Sequence, residues 1–549
     1  MPELSAPDRS HAASQPGPRP PRRLRWWPAL AIFILTAASQ VWIWFVWPPD
    51  RTIQTMFSYM AGMPAVLAFT LWWVFFSRLA WRSRLLGVGI AAVGVTILAC
   101  LLRIDDFTGE VFPIFTWRWA PHREAVAAAY FEQQAAVAPQ VSKQAADPAT
   151  EIESRLLVTD ADWPAYRGRL RDGIVRDVAI RTDWEARPPQ ALWRHPVGMG
   201  WSSFAIVDGL AFTQEQRQDQ EAIVCYDVWT GKQLWVHQDT ARFSEALGGD
   251  GPRGTPTIYD GRLYAAGATG MLNCLDARTG QKIWSHDVLV ENSIPNISWG
   301  RTGSPLVYDD LVVINAGGAN QQGLIAFHRE TGKPAWSAGS DVASYASLQL
   351  NEVDRVRQIL LFDGAGIAGH DPLNGRQLWK HPWTNNPKVN GAQPFVTSPD
   401  EVLISNSYGV GSVLLHVRHK QNNWSVTPRW ESKRFRLKFN SGVMQGDYIY
   451  GLDEGILACL DVRDGSLRWK GGRYGFGQTM LIDKWLLILA ESGEVALVQA
   501  EPDRFTEAAR FQAINGRTWN CPAIWKGLLL VRNGDEAACY DLRPNTSTP

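Results

Sequence analysis

The sequence predicts an all-β fold, an eight-bladed β-propeller of four-stranded antiparallel blades, preceded by three transmembrane helices. Three observations predict it. A tryptophan-ended frame recurs with one internal spacing, two half-copies of it stand at opposite ends of the C-terminal two-thirds, and long charge-free runs are confined to the first hundred residues.

The apolar runs come first along the chain. Residues 1–25 are rich in Pro, Ser and Arg and read as a disordered cytoplasmic tail. From Trp26 to Trp47 no charge interrupts 22 residues, a helix of about 33 Å, enough to cross a bilayer core. Uncharged stretches at Thr52–Ser77 and Leu85–Leu102 repeat the pattern, so helices are expected at about 26–47, 56–77 and 85–102, forming an anchor over 26–102. Arg19, Arg22, Arg23 and Arg25 precede the first run, and Arg78, Arg82 and Arg84 separate the second from the third. Positive-inside logic then puts the N-terminus in the cytoplasm and everything after Leu102 on the periplasmic side of an inner membrane. Residues 103–158 read as a linker, its Ala-, Gln- and Glu-rich part 121–150 as tether or short helix, and 159–182 as a leader to a propeller over 183–545. Lys+Arg and Asp+Glu both number 54, so no net field favours nucleic acid.

The frame is clearest where Asp227, Gly231 and Trp235 follow one another at intervals of four. It returns as Asp276, Gly280 and Trp284, as His328, Gly332 and Trp336, as Asp371, Gly375 and Trp379, and as Asp461, Gly465 and Trp469. This is an apolar strand, a tight turn and a second strand. Asp accepts from turn amides, Gly takes positive φ, and Trp covers the seam to the next sheet. Successive frames lie 49, 52 and 43 residues apart, and the later gaps of 90 and 80 each hold two units, with worn copies at Val413–Val417 and Val495–Gln499. The last copy, ending at Asp541, lacks its tryptophan, while the strand around Trp193 lacks a first half. The two complete each other, so the first strand of the domain is expected to close blade eight.

The D-x-x-T-G-x-x-x-W frame resembles the repeat of the pyrroloquinoline-quinone (PQQ)-type propellers, a family of quinoprotein alcohol dehydrogenases and the propeller lipoprotein of the outer-membrane barrel assembly machinery. The segment Asp162–Gly173 is similar to one that precedes the propeller in bacterial membrane-anchored members, and is expected to staple the linker to a propeller face. The resemblance implies either a binding or scaffolding module or, as the alternative, a membrane-bound oxidoreductase using PQQ and calcium. The dehydrogenases carry adjacent paired cysteines; this chain has no Cys-Cys and no C-x-x-C-H haem sequence. Four of its cysteines, Cys225, Cys274, Cys459 and Cys539, stand two before the repeat Asp, where other copies have Ala326 and Gly369. That is a small buried strand position. His195, His237, His286 and His381 each follow a repeat Trp by two residues, which sets them beside that ring on a strand face. No catalytic, cofactor or metal set is therefore expected, and no cofactor.

Strand parity gives a candidate working face. The Thr-Gly hairpins share one face, and the blade-to-blade loops share the other with the loops after each second strand. The blade-to-blade loops are uneven, and the long ones carry Arg253, Trp299 and Arg301, with Gln214, Glu215, Gln216 and Arg217 at a strand end on the same face. Those seven residues are the expected contact rim for a protein partner or small ligand, exposed and with few core contacts.

Overall fold

A computed structural model describes residues 24–47, 50–137, 156–421 and 423–544. Most of the expected tail and the last part of the linker lie outside these. The chain divides into two compact units.

The first unit holds three helices, Trp27–Val46, Arg51–Phe76 and Trp81–Leu101, each long and apolar enough to cross a membrane. The second and third start four or five residues earlier than the charge-free runs suggest. Near the third start, Arg84 is kept in the helix because its guanidinium reaches back to the carbonyls of Val74 (2.6 Å), in the last turn of the second helix, and Leu79 (2.9 Å), in the connection between the two. The stretch read as linker has more structure than a tether: strands Leu102–Phe107 and Pro113–Trp117 pair, and a helix spans Arg123–Val137.

The second unit is the propeller, with residues 104–114 and the Arg123–Val137 helix belonging to it. Its eight sheets each carry four antiparallel strands. Blade 1, for instance, is Ala205–Val207, Leu210–Arg217, Gln220–Asp227 and Gln233–Thr240. Blade 7 gains a fifth strand, leader residues Ile174–Val175, parallel to Gln478–Ile482. Blade 8 closes as the half-repeats require: Ala191–Pro196 pairs with Glu536–Asp541, with Cys539 opposite Trp193.

The repeat residues fit together across blades. In the first two hairpins Asp227 and Asp276 each accept from the amide three residues on, at 2.8 Å. Trp193, Trp235, Trp284, Trp336 and Trp430 each lie on the hairpin glycine of the next blade. A Cβ on Gly280 would stand 2.5 Å from the Trp235 ring, and one on Gly231 as close to Trp193. Glycine is thus required twice over at these turns, by its positive φ and by the neighbouring indole. Trp193 Nε1 donates to Val228 O, Trp235 Nε1 to Ala277 O and Trp430 Nε1 to Val462 O, stitching each seam. Trp379 departs from this and donates to Gln358 within its own blade, for blade 5 has a long hairpin without the glycine turn. The small residue two before the Asp sits opposite the Trp in register, as Cys225 does to Trp235, which is why Cys, Ala and Gly alternate there.

The first strands of the blades pack around the axis. Just before them a polar ring runs from blade to blade. Ser203 N donates to Thr255 Oγ1, Thr255 N to Ser304 Oγ, Ser304 N to Ser347 Oγ, Ser347 N to Gln393 Oε1 and Gln393 N to Ser441 Oγ, all within 3.0 Å. The leader lies on the opposite, hairpin face. Trp163 bridges Ile206, and Asp162 accepts from Trp525 Nε1 and Asp208 N. From there it drives two arginines into the axis. Arg167 donates to the carbonyls of Gly442 (2.6 Å), Ser441 and Thr479, and Arg171 to those of Leu348 (2.8 Å), Ser304 and Pro305. Burial pulls the Arg171 guanidinium down to about 10.

Candidate functional site

The seven rim residues separate into two groups; five are buried and Arg217 and Trp299 are half-buried, which corrects the expectation of an exposed rim. Gln214, Glu215, Gln216 and Arg217 end the second strand of blade 1 under the Arg123–Val137 helix. Gln214 Nε2 donates to Gly254 O (2.6 Å), and Gln216 Nε2 to Ala241 O (2.9 Å). Glu215 accepts from Tyr226 Oη (2.7 Å), Arg217 Nε (2.9 Å) and Gly198 N (3.0 Å). Its burial alone would raise the carboxyl, but the Arg217 and Arg532 charges outweigh that and hold it below the ordinary range. Arg217 also lies 3.5 Å from the Phe131 ring centre, so the helix seals the cluster. A cavity of 340 Å³ remains between this helix and blade 1, lined by Glu124, Phe131, Met199, Gln216 and Gln238 among others.

Arg253, Trp299 and Arg301 form the second group. Arg253 folds onto its own loop, donating to Gly249 O (2.7 Å) and stacking 4.5 Å from the Phe243 ring; burial pulls it down to about 10. Arg301 is buried and likewise pulled down to about 10, donating to Pro295 O at 3.2 Å. Trp299 is half-buried beside Tyr345, ring centres 5.7 Å apart.

The centre of this face is organised by residues that sequence reasoning missed. Lys438 is buried, with Nζ donating to Thr52 Oγ1 (2.5 Å) and Gly109 O (3.3 Å) and lying 4.4 Å from the Phe476 ring. Burial lowers its pKa, against the pull of Asp50, Glu454 and Glu491. Arg517 sits between the Trp201 and Trp519 rings (4.8 and 4.2 Å), donates to Phe107 O (2.6 Å) and pairs with Asp106 at 2.6 Å. Glu491 accepts from Gly109 N (2.6 Å) and Trp519 Nε1 (2.9 Å). Arg123 bridges Asp105, Asp106 and Asp535 within 3.2 Å. A segment of the chain itself, residues 104–114 with the following helix, is therefore the ligand of the axis and of blades 6, 7, 8 and 1. The only sequence signal was the spacing of Arg517 and Trp519, a basic and an aromatic residue in one blade-to-blade loop.

The histidines are each engaged separately. His195 stacks on Trp193 and Tyr130, and His286 contacts Gly332 O at 2.7 Å. Among the described residues no group of three or more His, Cys, Asp or Glu is arranged to hold a metal ion. On the hairpin face a groove of 550 Å³ between blades 4 and 5 is lined by Arg357, Leu373, Arg376, His419 and Trp424 among others.

The sequence family described as outer membrane protein assembly factor BamB matches over residues 182–293 and 218–471, more than half of the chain. The chain belongs to the BamB family. Its propeller is similar in fold to a quinohemoprotein alcohol dehydrogenase from Pseudomonas putida HK5, at 12% identity and a TM-score of 0.52, covering 74% of this chain and 84% of that one. BamB from Moraxella catarrhalis is matched at 12% identity and a TM-score of 0.47, covering 66% of this chain and 99% of that one. No curated protein matches. Relative to the BamB-family match, the three apolar helices, the 104–114 segment and the Arg123–Val137 helix all lie N-terminal to the matched residues.

Proposed function

We propose that the chain is a membrane-anchored binding module. The three helices hold it in the inner membrane, the propeller stands on the periplasmic side, and the blade-to-blade face over blades 2–4 takes a protein partner. The observation that carries this is exposed apolar side chains in two blade-to-blade connections: Val290, in the short Val288–Glu291 helix, is 74% and Val342 47% exposed, in the same connections as Trp299 and Tyr345, whose rings meet. Branched apolar side chains left exposed on a polar rim favour a protein surface over water. Membership of a family described as an assembly factor supports a scaffolding role, and the arginines flanking the helices support the orientation. With p-benzoylphenylalanine at Val290 or Val342 of the full chain in cells, irradiation should give protein adducts well above those from Leu373, which is 79% exposed on the hairpin face. Adducts no stronger than at Leu373 would sink the reading.

The quinoprotein alternative shares the fold, but the residues present do not fit PQQ with its calcium. On this face the chain itself occupies the site around Lys438, whose ammonium donates to Thr52 Oγ1 and Gly109 O. No adjacent cysteines stand beside it. Purified full-length protein mixed with PQQ and calcium should therefore show no saturable binding and no alcohol-dependent dye reduction. Turnover above a heat-killed control reverses this reading.

A further inference from the structure

The aromatic residues that follow the third apolar helix are not explained by the propeller. Phe115, Trp117 and Trp119 are 57%, 52% and 67% exposed, and the two indoles stack on each other at 5.1 Å with planes 13° apart. They are held in place rather than left on a loose tail. Arg118, between them, donates its backbone N–H to Leu101 O (2.9 Å) and its Nε to Ala99 O (3.0 Å). Those carbonyls belong to the last turn of the Trp81–Leu101 helix, whose final acceptors have no partner within the helix. Arg118 is thus a clamp that fixes the flanking tryptophans level with the end of the helix.

That level has a physical meaning. The helix has 21 residues, about 31 Å of rise, which matches a hydrocarbon core of about 30 Å. At its other end Trp81 is 57% exposed, and Trp26 and Trp27 at the start of the first helix are 62% and 55% exposed. Exposed tryptophans therefore mark the helix ends, while the middle of the third helix presents aliphatic side chains such as Ile90 (64%) and Val93 (58%). Indole is amphipathic, with a polar N–H and a large apolar face, and partitions to the headgroup–acyl boundary rather than to water or hydrocarbon.

We infer that Phe115, Trp117 and Trp119 are a lipid-binding element, clamped by Arg118 to the third helix and seated in the interfacial layer of the bilayer. The partner is the glycerol and headgroup region of the lipids. The inference rests on reading the three helices as spans.

Full-length protein with Cys100→Ser, its other cysteines being buried, is reconstituted in vesicles of phosphatidylethanolamine and phosphatidylglycerol. A nitroxide is placed at Trp117→Cys and, in separate samples, at Trp119→Cys, Ile90→Cys and Leu373→Cys. Collision with oxygen reports lipid, and collision with a nickel chelate reports water. Ile90 should read deep in the acyl region and Leu373 fully in water, with positions 117 and 119 both shifted to intermediate values. If Ile90 is deep while 117 and 119 read as water, as deep as Ile90, or as shielded from both reagents, the interfacial seat is wrong although the spans stand. If Ile90 itself reads as water, the membrane reading falls and this inference with it.

Discussion

Arg171→Ala should lower the stability of the propeller by about 3 kcal/mol, read as a fall in the urea midpoint of tryptophan fluorescence for the full chain in detergent. Two effects of opposite sign meet here. Burying a guanidinium is costly, and its removal relieves that cost. Against this, the side chain serves the carbonyls of Ser304, Pro305 and Leu348 in blades 3 and 4, and each buried acceptor left without a donor costs roughly 1–3 kcal/mol. Pro305 O keeps the Thr257 hydroxyl at 2.8 Å, but the carbonyls of Ser304 and Leu348 lose their side-chain donor, and these two outweigh one relieved charge, which here has no carboxylate partner to strand. Arg171→Lys should recover less than half of the loss, because one ammonium cannot reproduce the planar fork that reaches several blades. Arg176→Ala is the internal control: its pair with Asp172 is half-exposed, so about 0.5 kcal/mol or less is expected. An Arg171→Ala midpoint equal to that of Arg176→Ala would mean that the leader merely rests on the propeller.

The contrast between those two arginines indicates what a sequence can and cannot carry. Asp227, Gly231 and Trp235 were readable because each does its work within a turn or at the next repeat of the same spacing, so the geometry is encoded in intervals of four. The closure by Trp193 was readable for the same reason, since a missing half-repeat at one end has its complement at the other. Arg167, Arg169, Arg171 and Arg176 stand close together in the leader, and nothing local distinguishes the pair that enters the axis from the pair that faces water. The blade carbonyls they reach are 133 to 312 residues away. Gln214–Arg217 read as an exposed contact rim because strand parity puts this polar strand end on the face of the long blade-to-blade loops. Here Phe131 of a helix about 80 residues upstream covers them, and buried carbonyls and Tyr226 satisfy them. Lys438 carried no signal at all, for its acceptors are Thr52, in the first turn of the second apolar helix, and Gly109, beyond the third.

Trp193→Ala should cost about 3–5 kcal/mol, the range for emptying a buried aromatic site. Trp193 is 9% exposed and stands where the ring of blades is closed by strands from distant parts of the chain. Its indole lies on Gly231, and its Nε1 donates to Val228 O at 2.7 Å, so the substitution empties the seam between blades 8 and 1 and strands a buried carbonyl. Leu192→Ala, on the same strand but 44% exposed, should stay within about 0.5 kcal/mol. The specific contact is tested by Gly231→Ala. Alone it should cost roughly 2–4 kcal/mol, from the left-handed backbone at φ +67° and from a methyl pushed into the indole. With Trp193 already truncated, the steric part disappears and only the backbone part remains. The double variant should then be more stable than the sum of the singles by about 1 kcal/mol or more. Strict additivity would show that Trp193 does not bear on Gly231 in solution, and that the blades are closed by backbone pairing alone.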